Sequence, residues 1–297
     1  MNASFDGILI INKEKGYTSN DVVQVLRGIL HMKKIGHTGT LDPAAEGVLP
    51  VCLGKGTKLV SLLTDKDKEY RAVARLGVTT DTEDMTGNII SEKETAPDEQ
   101  PSEQEVRSAL NSFIGDYDQV PPMYSAKKVD GKKLYELARE GKVIERKPCP
   151  VKIFDIKLIR YEFPLIEFSV HCGKGTYVRS LIRDLGEKLG CGAAMESLVR
   201  TGVSGFTLKD AVTLKEAEDL MAAGKMDSVI KDVESVFSGL PSLRADSRTE
   251  RFLKNGNVFR VPSGLKNGDY RVHTSDGAFA AIYTVNKGEA RPKRMFL

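Results

Sequence analysis

Hydrophobic and polar positions alternate along this chain in two rhythms that divide it into a longer mixed part and a shorter tail. Gly7 to Asn12 is a nearly unbroken apolar run, the signature of a strand covered on both faces. Thr18 or Ser19 then offers a helix cap, and Val22, Val23, Leu26, Ile29 and Leu30 fall on one helical stripe. Residues 31–47 are rich in glycine and small residues and read as a loop. Val48 to Leu53 is a second apolar strand, Thr57 to Leu63 reads as helical, and Glu69 to Leu76 alternates as a half-buried strand does. The acidic stretch from Thr79 to Gln100 reads as a turn followed by a mobile excursion. Pro101, Ser102 and Glu105 open a helix that runs to about Phe113. Asp116 to Val129 reads as irregular and Lys132 to Arg139 as a short helix. Val151 to Arg160 and Phe163 to His171 form an antiparallel pair, and Thr176 to Leu189 is a helix stopped by Gly190.

After about residue 235 the texture changes. Short apolar pieces alternate with Asn255-Gly256, Asn267-Gly268 and Asp276-Gly277, dipeptides that favour tight hairpins. The chain therefore divides into a larger domain over residues 1–235 and a small all-β domain over 236–297. Strands and helices in the first part lack a regular βαβ rhythm. The fold class is accordingly α+β, with a mixed or antiparallel sheet flanked by helices rather than a doubly wound one.

Composition narrows the picture. A length of 297 residues with 40% hydrophobic and 29% charged positions is that of an ordinary globular protein. No run approaches the roughly 18 apolar residues of a membrane helix, and no export signal is seen, so the reading is cytoplasmic. Cys52, Cys149, Cys172 and Cys191 are scattered and read as reduced structural thiols, and no metal set forms around them. Net charge is only +3. Arg244 to Arg294, however, carries about 11 basic residues against about 5 acidic ones, the footprint of a phosphate-binding tail. Gly54-Lys55-Gly56-Thr57 lacks the spacing of a phosphate loop. No dinucleotide fingerprint follows a strand, and Asp81 to Glu92 has Thr86 where a calcium loop needs glycine.

One segment carries chemistry: Gly36-His37-Thr38-Gly39-Thr40-Leu41-Asp42-Pro43, followed by Gly47. Pro43 disfavours a helical Asp42, so the carboxylate is presented from a loop. Gly36 and Gly39 allow backbone to approach a ligand closely, and His37 adds an imidazole. By itself this is equally a common Asp-Pro turn.

That segment resembles the catalytic signature of the TruB family of tRNA pseudouridine synthases, and further family motifs follow in order. They are Lys68-Glu69-Tyr70-Arg71, Pro122 to Lys128, Gly131 to Tyr135, Gly175-Thr176-Tyr177-Val178-Arg179-Ser180-Leu181, Gly190 to Ala193, and Leu198-Val199-Arg200-Thr201. The likeness covers residues 7 to 210 closely and the tail more loosely. One departure is Glu14, after Lys13, where the family's first motif usually has proline.

The resemblance implies isomerisation of uridine 55 in the T-arm of transfer RNA by a stand-alone, monomeric enzyme that needs no metal, cofactor or protein partner. It implies Asp42 as the catalytic carboxylate. Arg179 would pair with it through a guanidinium fork that lysine cannot copy. Tyr70 would be the platform for the flipped base, Tyr177 and Leu198 would line the uracil, and His37 would fill the space that the base leaves. The tail would be a PUA-like RNA-binding module. A catalytically idle RNA-binding or RNA-folding protein, and a guide-RNA-dependent relative, remain the alternatives.

Overall fold

A computed structural model describes residues 5–129 and 131–297. In chain order the first half contains β1 (Gly7–Lys13), α1 (Ser19–Leu30), β2 (Ile35–His37), β3 (Glu46–Leu53), α2 (Val60–Thr64), β4 (Lys68–Leu76), β5 (Val78–Thr80), β6 (Ile89–Glu92), α3 (Glu103–Asn111) and β7 (Gly115–Gln119). The middle adds β8 (Lys128–Val129), β9 (Lys132–Lys133), α4 (Leu134–Arg139), β10 (Cys149–Glu162), β11 (Leu165–Cys172), α5 (Val178–Lys188), β12 (Ala193–Val203), β13 (Phe206–Thr207), α6 (Leu214–Ala222) and β14 (Ile230–Lys231). The tail holds β15 (Ser242–Arg244), α7 (Glu250–Lys254), β16 (Phe259–Arg260), β17 (Gly268–His273), β18 (Phe279–Asn286) and β19 (Glu289–Met295).

A ten-stranded sheet organises the larger part in the order β14-β1-β3-β12-β4-β11-β10-β7, with β2 on β3 and β13 on β12. Every pairing in it is antiparallel except β3 with β12, so the sheet is mixed and the α+β class holds. Hydrophobic pattern decides which strands lie deepest. β1 and β3 are apolar at successive positions and are buried on both faces. Leu9, Ile11, Leu49 and Val51 join α1, α3, α5 and α6 in the main core. Ile8, Ile10, Val48 and Cys52 point the other way, into a second cluster with Leu59, Leu63 and Val203. β10 instead alternates buried and exposed positions, because only one of its faces is covered.

The tail forms a five-stranded sheet, β15-β17-β18-β19-β16, with its own core. It also joins the larger part directly. Ile282 and Phe296 are buried in the same cluster as Ile8 and Ile10. Phe237, Phe279 and Phe296 stack with ring centroids 5.3–6.2 Å apart.

Several elements differ from the sequence reading. Within the 31–47 loop, Ile35–His37 pairs with β3. The helix expected over Thr57–Leu63 divides into a 3₁₀ turn, Gly54–Leu59, and the short α2. Gly115–Gln119 is not irregular but an edge strand on β10, its pattern masked by the exposed Asp116 and Asp118. β12 has no regular alternation in the sequence because bulges after Met195 and Arg200 break its period. α6 is a further element beyond those expected, with Thr213 and Glu216 forming a capping box at its start. Asn255-Gly256 ends α7 rather than turning a hairpin, with Gly256 at φ +64°. Asn267-Gly268 leads into β17 and joins no paired strands. Only Asp276-Gly277 links neighbours, β17 and β18, while the β18–β19 hairpin turns at Lys287 and Gly288, both at positive φ.

Candidate active site

Asp42 lies in the loop that connects β2 to β3, and three local ties fix that loop. Ser19 at the start of α1 accepts from the Leu41 amide at 2.8 Å and donates to the Leu41 carbonyl at 3.3 Å. The Gly16 amide donates to the Pro43 carbonyl at 2.8 Å. The ammonium of Lys13, a fully buried residue, donates to the carbonyls of Tyr17 at 2.7 Å, Glu14 at 3.0 Å and Pro43 at 3.5 Å. Burial pushes the Lys13 ammonium down to about 8, against the opposing pull of the Asp42 and Glu46 carboxylates. These bonds hold the turn that contains Glu14.

Close packing within the protein requires glycine at a further position, Gly47. A Cβ at Gly36 would meet only Val60, at 3.5 Å, and one at Gly39 only the ends of Lys68 and Arg200, at 3.9 Å. Gly47, at φ +106°, is the close approach: a Cβ there would stand 2.3 Å from the Arg200 carbonyl. This contact lets β3 pair with β12 at the exit of the Asp42 loop.

Arg179 enters from the first turn of α5 and is almost wholly buried. Its Nε donates to Asp42 Oδ2 at 2.8 Å. Nη1 donates to the Thr82 carbonyl at 2.7 Å and Nη2 to the Tyr124 carbonyl at 2.9 Å. The predicted fork on the carboxylate is therefore absent; one nitrogen holds Asp42, and the other two hold backbone from two further segments. Asp84 Oδ2 lies 3.9 Å from the same Nε. Its other oxygen accepts from Thr82 Oγ1 at 2.8 Å and the Thr86 amide at 3.0 Å. The Asp42 side chain keeps about a third of its surface exposed while Arg179 keeps almost none, so the carboxylate faces outward from a buried cationic base.

The remaining predicted residues gather around this pair. Tyr70 pairs with Arg200 and Ala72 with Leu198 across β4 and β12, so all four side chains share one face of the sheet. Tyr70 and Leu198 belong to the main core, with only a small fraction of each exposed. Burial raises the Tyr70 phenol, Arg200 partly offsets this, and the charge on Asp42 adds to the rise. Tyr177 caps α5, and its amide and carbonyl are both held by the Gln119 amide group at 2.8 and 3.0 Å. Burial raises its phenol. His37 ends β2; its Nδ1 accepts from the Gly39 amide at 3.3 Å, which leaves the proton on Nε2. Burial lowers the pKa of the ring, which is therefore neutral near pH 7.

Sequence reasoning missed several members of this constellation. Arg200 is fully buried, donates through Nε to the Val48 carbonyl at 2.7 Å, and leaves Nη2 without a partner. With Lys13 and Lys68 it surrounds the Asp42 loop with positive charge. The stretch from Thr79 opens on the expected turn, but that turn is tight and buried: Thr80 Oγ1 donates to the Asp84 carbonyl at 2.7 Å, and Thr80, Glu83 and Asp84 are all buried. The hydroxyl and carboxylate residues within Asp81 to Thr86 were the available signal, since such side chains cap local turns.

The sequence matches the family model for the TruB family pseudouridylate synthase N-terminal domain over residues 27–178. It matches the model for the tRNA pseudouridylate synthase B C-terminal domain over residues 179–238. It is 46% identical to tRNA pseudouridine synthase B of Lachnoclostridium phytofermentans, covering 98% of this chain and all of the relative. The protein of the same name from Escherichia coli K12 is 38% identical over 98% of this chain and 95% of its own. Among solved structures, a chain of a Cbf5-Nop10-Gar1 complex superposes with a TM-score of 0.72 at 25% identity, covering 98% of this chain and 85% of that one.

Proposed function

The chain belongs to the TruB family of pseudouridylate synthases, and from that premise we propose that it isomerises uridine 55 in the T-arm of transfer RNA, with Asp42 as the reacting carboxylate. The observation that carries this reading is the 2.8 Å bond from buried Arg179 to the partly exposed Asp42 carboxylate. A carboxylate so placed has one oxygen fixed and the other available to a substrate.

The reaction is an isomerisation. The bond between the sugar carbon and uracil N1 breaks, the ring turns, and the same carbon bonds to uracil C5. The proton displaced from C5 is replaced by one gained at N1, so no atom is added or lost. Asp42 serves equally for attack on the sugar carbon or for removal of a sugar proton on the way to a glycal. The target base must first leave the RNA stack, which costs a few kcal/mol. Tyr70 and Leu198, on the sheet face beneath the Asp42 loop, would form the floor that receives it, with Tyr177 at the side. Stacking on one aromatic ring contributes roughly 1–3 kcal/mol. His37 would occupy the position vacated in the RNA loop.

The tail would act as a PUA-like grip on the helical part of the substrate. Among the described residues Arg248, Arg251 and Arg260 are exposed and form no direct ion pair, which suits them to phosphate. The chain would act as a monomer in the cytoplasm without a guide RNA or protein partner. The 38–46% identity over nearly the whole chain to proteins named tRNA pseudouridine synthase B, against 25% to a chain solved in complex with Nop10 and Gar1, supports action without such protein partners.

The test is incubation of pure protein with an unmodified transfer RNA transcript and mapping of pseudouridine by position. Modification confined to position 55 is the expected result. No product, or product only elsewhere, would overturn the assignment.

A further inference from the structure

One buried acid near the site has no role in the chemistry described so far. Glu83 lies in the turn between β5 and β6 with φ at +64°, a left-handed conformation that favours glycine. Its carboxylate accepts from Ser180 Oγ at 2.6 Å and pairs with the Arg183 guanidinium. Its carbonyl accepts from the Met195 amide at 3.0 Å, which stitches the turn to β12. Its neighbours on both sides touch Arg179: the Thr82 carbonyl accepts from Nη1, and Asp84 faces Nε.

The partners of Glu83 repeat the arrangement around Arg179. Arg179 and Arg183 stand one turn apart on α5. Arg179 joins the β5–β6 turn, through Thr82, to the segment after β7, through Tyr124. Arg183 joins the same turn, through Glu83, to the same segment, through the Val120 carbonyl at 3.2 Å. A strained residue persists only where its surroundings over-determine it, and such residues cluster at working sites.

We propose that Glu83 is a positioning residue for the reaction: its grip on Ser180 and Arg183 sets the Thr82 carbonyl and Asp84 against Arg179, and so aims Asp42. This rests on the reading of Asp42 and Arg179 as the reacting pair. Misplacement of a reacting group by about 1 Å costs on the order of 10²-fold in rate.

Single-turnover pseudouridine formation at saturating RNA, beside filter binding and urea unfolding, tests it in the full chain. Glu83→Gln should slow the chemical step by about 10-fold or more, with RNA affinity within about threefold of the parent. Glu83→Gly removes the grip but relaxes the backbone; it should be at least as slow while its unfolding midpoint is no lower than that of Glu83→Gln. Combined with Arg179→Lys, the Glu83→Gln loss should be less than multiplicative, because both substitutions act through the same group of bonds. Near-parent rates in folded Glu83 variants, or losses that multiply fully with Arg179→Lys, would overturn the proposal. Asp42→Asn in the same assay separates the two readings. Were it active, the Asp42 assignment would fail; were it dead beside parent-like Glu83 variants, only this proposal would.

Discussion

Arg179 reaches Asp42 through a single Nε–H donor at 2.8 Å, and both of its terminal nitrogens are bonded to main-chain carbonyls. One side chain thereby fixes the orientation of the carboxylate and ties together the β2–β3 loop, the β5–β6 turn and the segment after β7. Structural and chemical roles are joined at this residue, and the substitutions below are chosen to separate them.

Asp42→Asn retains size and polarity but not charge. Single-turnover product formation should fall by at least about 10⁴-fold, more than about 5 kcal/mol of barrier, with little change in RNA affinity. A near-normal rate would remove Asp42 from the reaction.

Arg179→Lys keeps the charge but can satisfy only part of the Asp42, Thr82 and Tyr124 set. The rate should fall by about 10²-fold or more. Stability should drop by about 1–3 kcal/mol in urea unfolding, because a buried carbonyl loses its donor. A variant with unchanged stability would show that these carbonyl bonds contribute little.

Lys13 supplies a pH signature. Its native pKa, about 8, lies below the usual value of 10.5, so the folded state binds fewer protons than the unfolded state between those values. Stability therefore rises with pH across that window, and the penalty for burying the charge is complete below it. Against Lys13→Met, the parent should gain about 1.5 kcal/mol between about pH 8 and pH 9.5, read from urea midpoints. A difference that stays flat with pH would contradict the burial of an ionised lysine.

Phe296 tests whether the tail is energetically joined to the larger part. It is nearly fully buried in the cluster that contains Ile8 and Ile10. Phe296→Ala should cost about 3–5 kcal/mol and lower the unfolding midpoint of the catalytic sheet as well. Loss of tail structure alone, with the larger part unchanged, would show that the shared cluster does not couple them. Tail removal would accordingly bare apolar surface on β1 and β3, beyond any effect on RNA binding.

The exposed arginines of the tail should govern salt dependence. Replacing Arg248, Arg251 and Arg260 by glutamine should flatten the log–log dependence of RNA binding on salt. The slope should change by about 0.7–0.9 for each phosphate that is no longer neutralised. An unchanged slope would place the phosphate grip elsewhere on the molecule.

What the sequence determined by itself was local and periodic. The unbroken apolar runs Ile8–Ile11 and Val48–Leu53 announced strands buried on both faces, and the stripe on α1 announced its packing side. Ordered motifs around Asp42, Tyr70 and Arg179 pointed to one chemistry independently of the fold. Tertiary structure alone decided what those residues touch. No spacing shows that Arg179 bonds two carbonyls rather than forking on Asp42, because backbone acceptors carry no side-chain identity. The role of Gly47 depended on the parallel approach of β12, and β12 was hidden by bulges that shift its two-residue period. The polarity of Asp81 to Thr86 marks a turn but not its burial. In the fold Glu83 and Asp84 are turned inward, meeting partners from their own turn and from α5, which sequence distance cannot reveal.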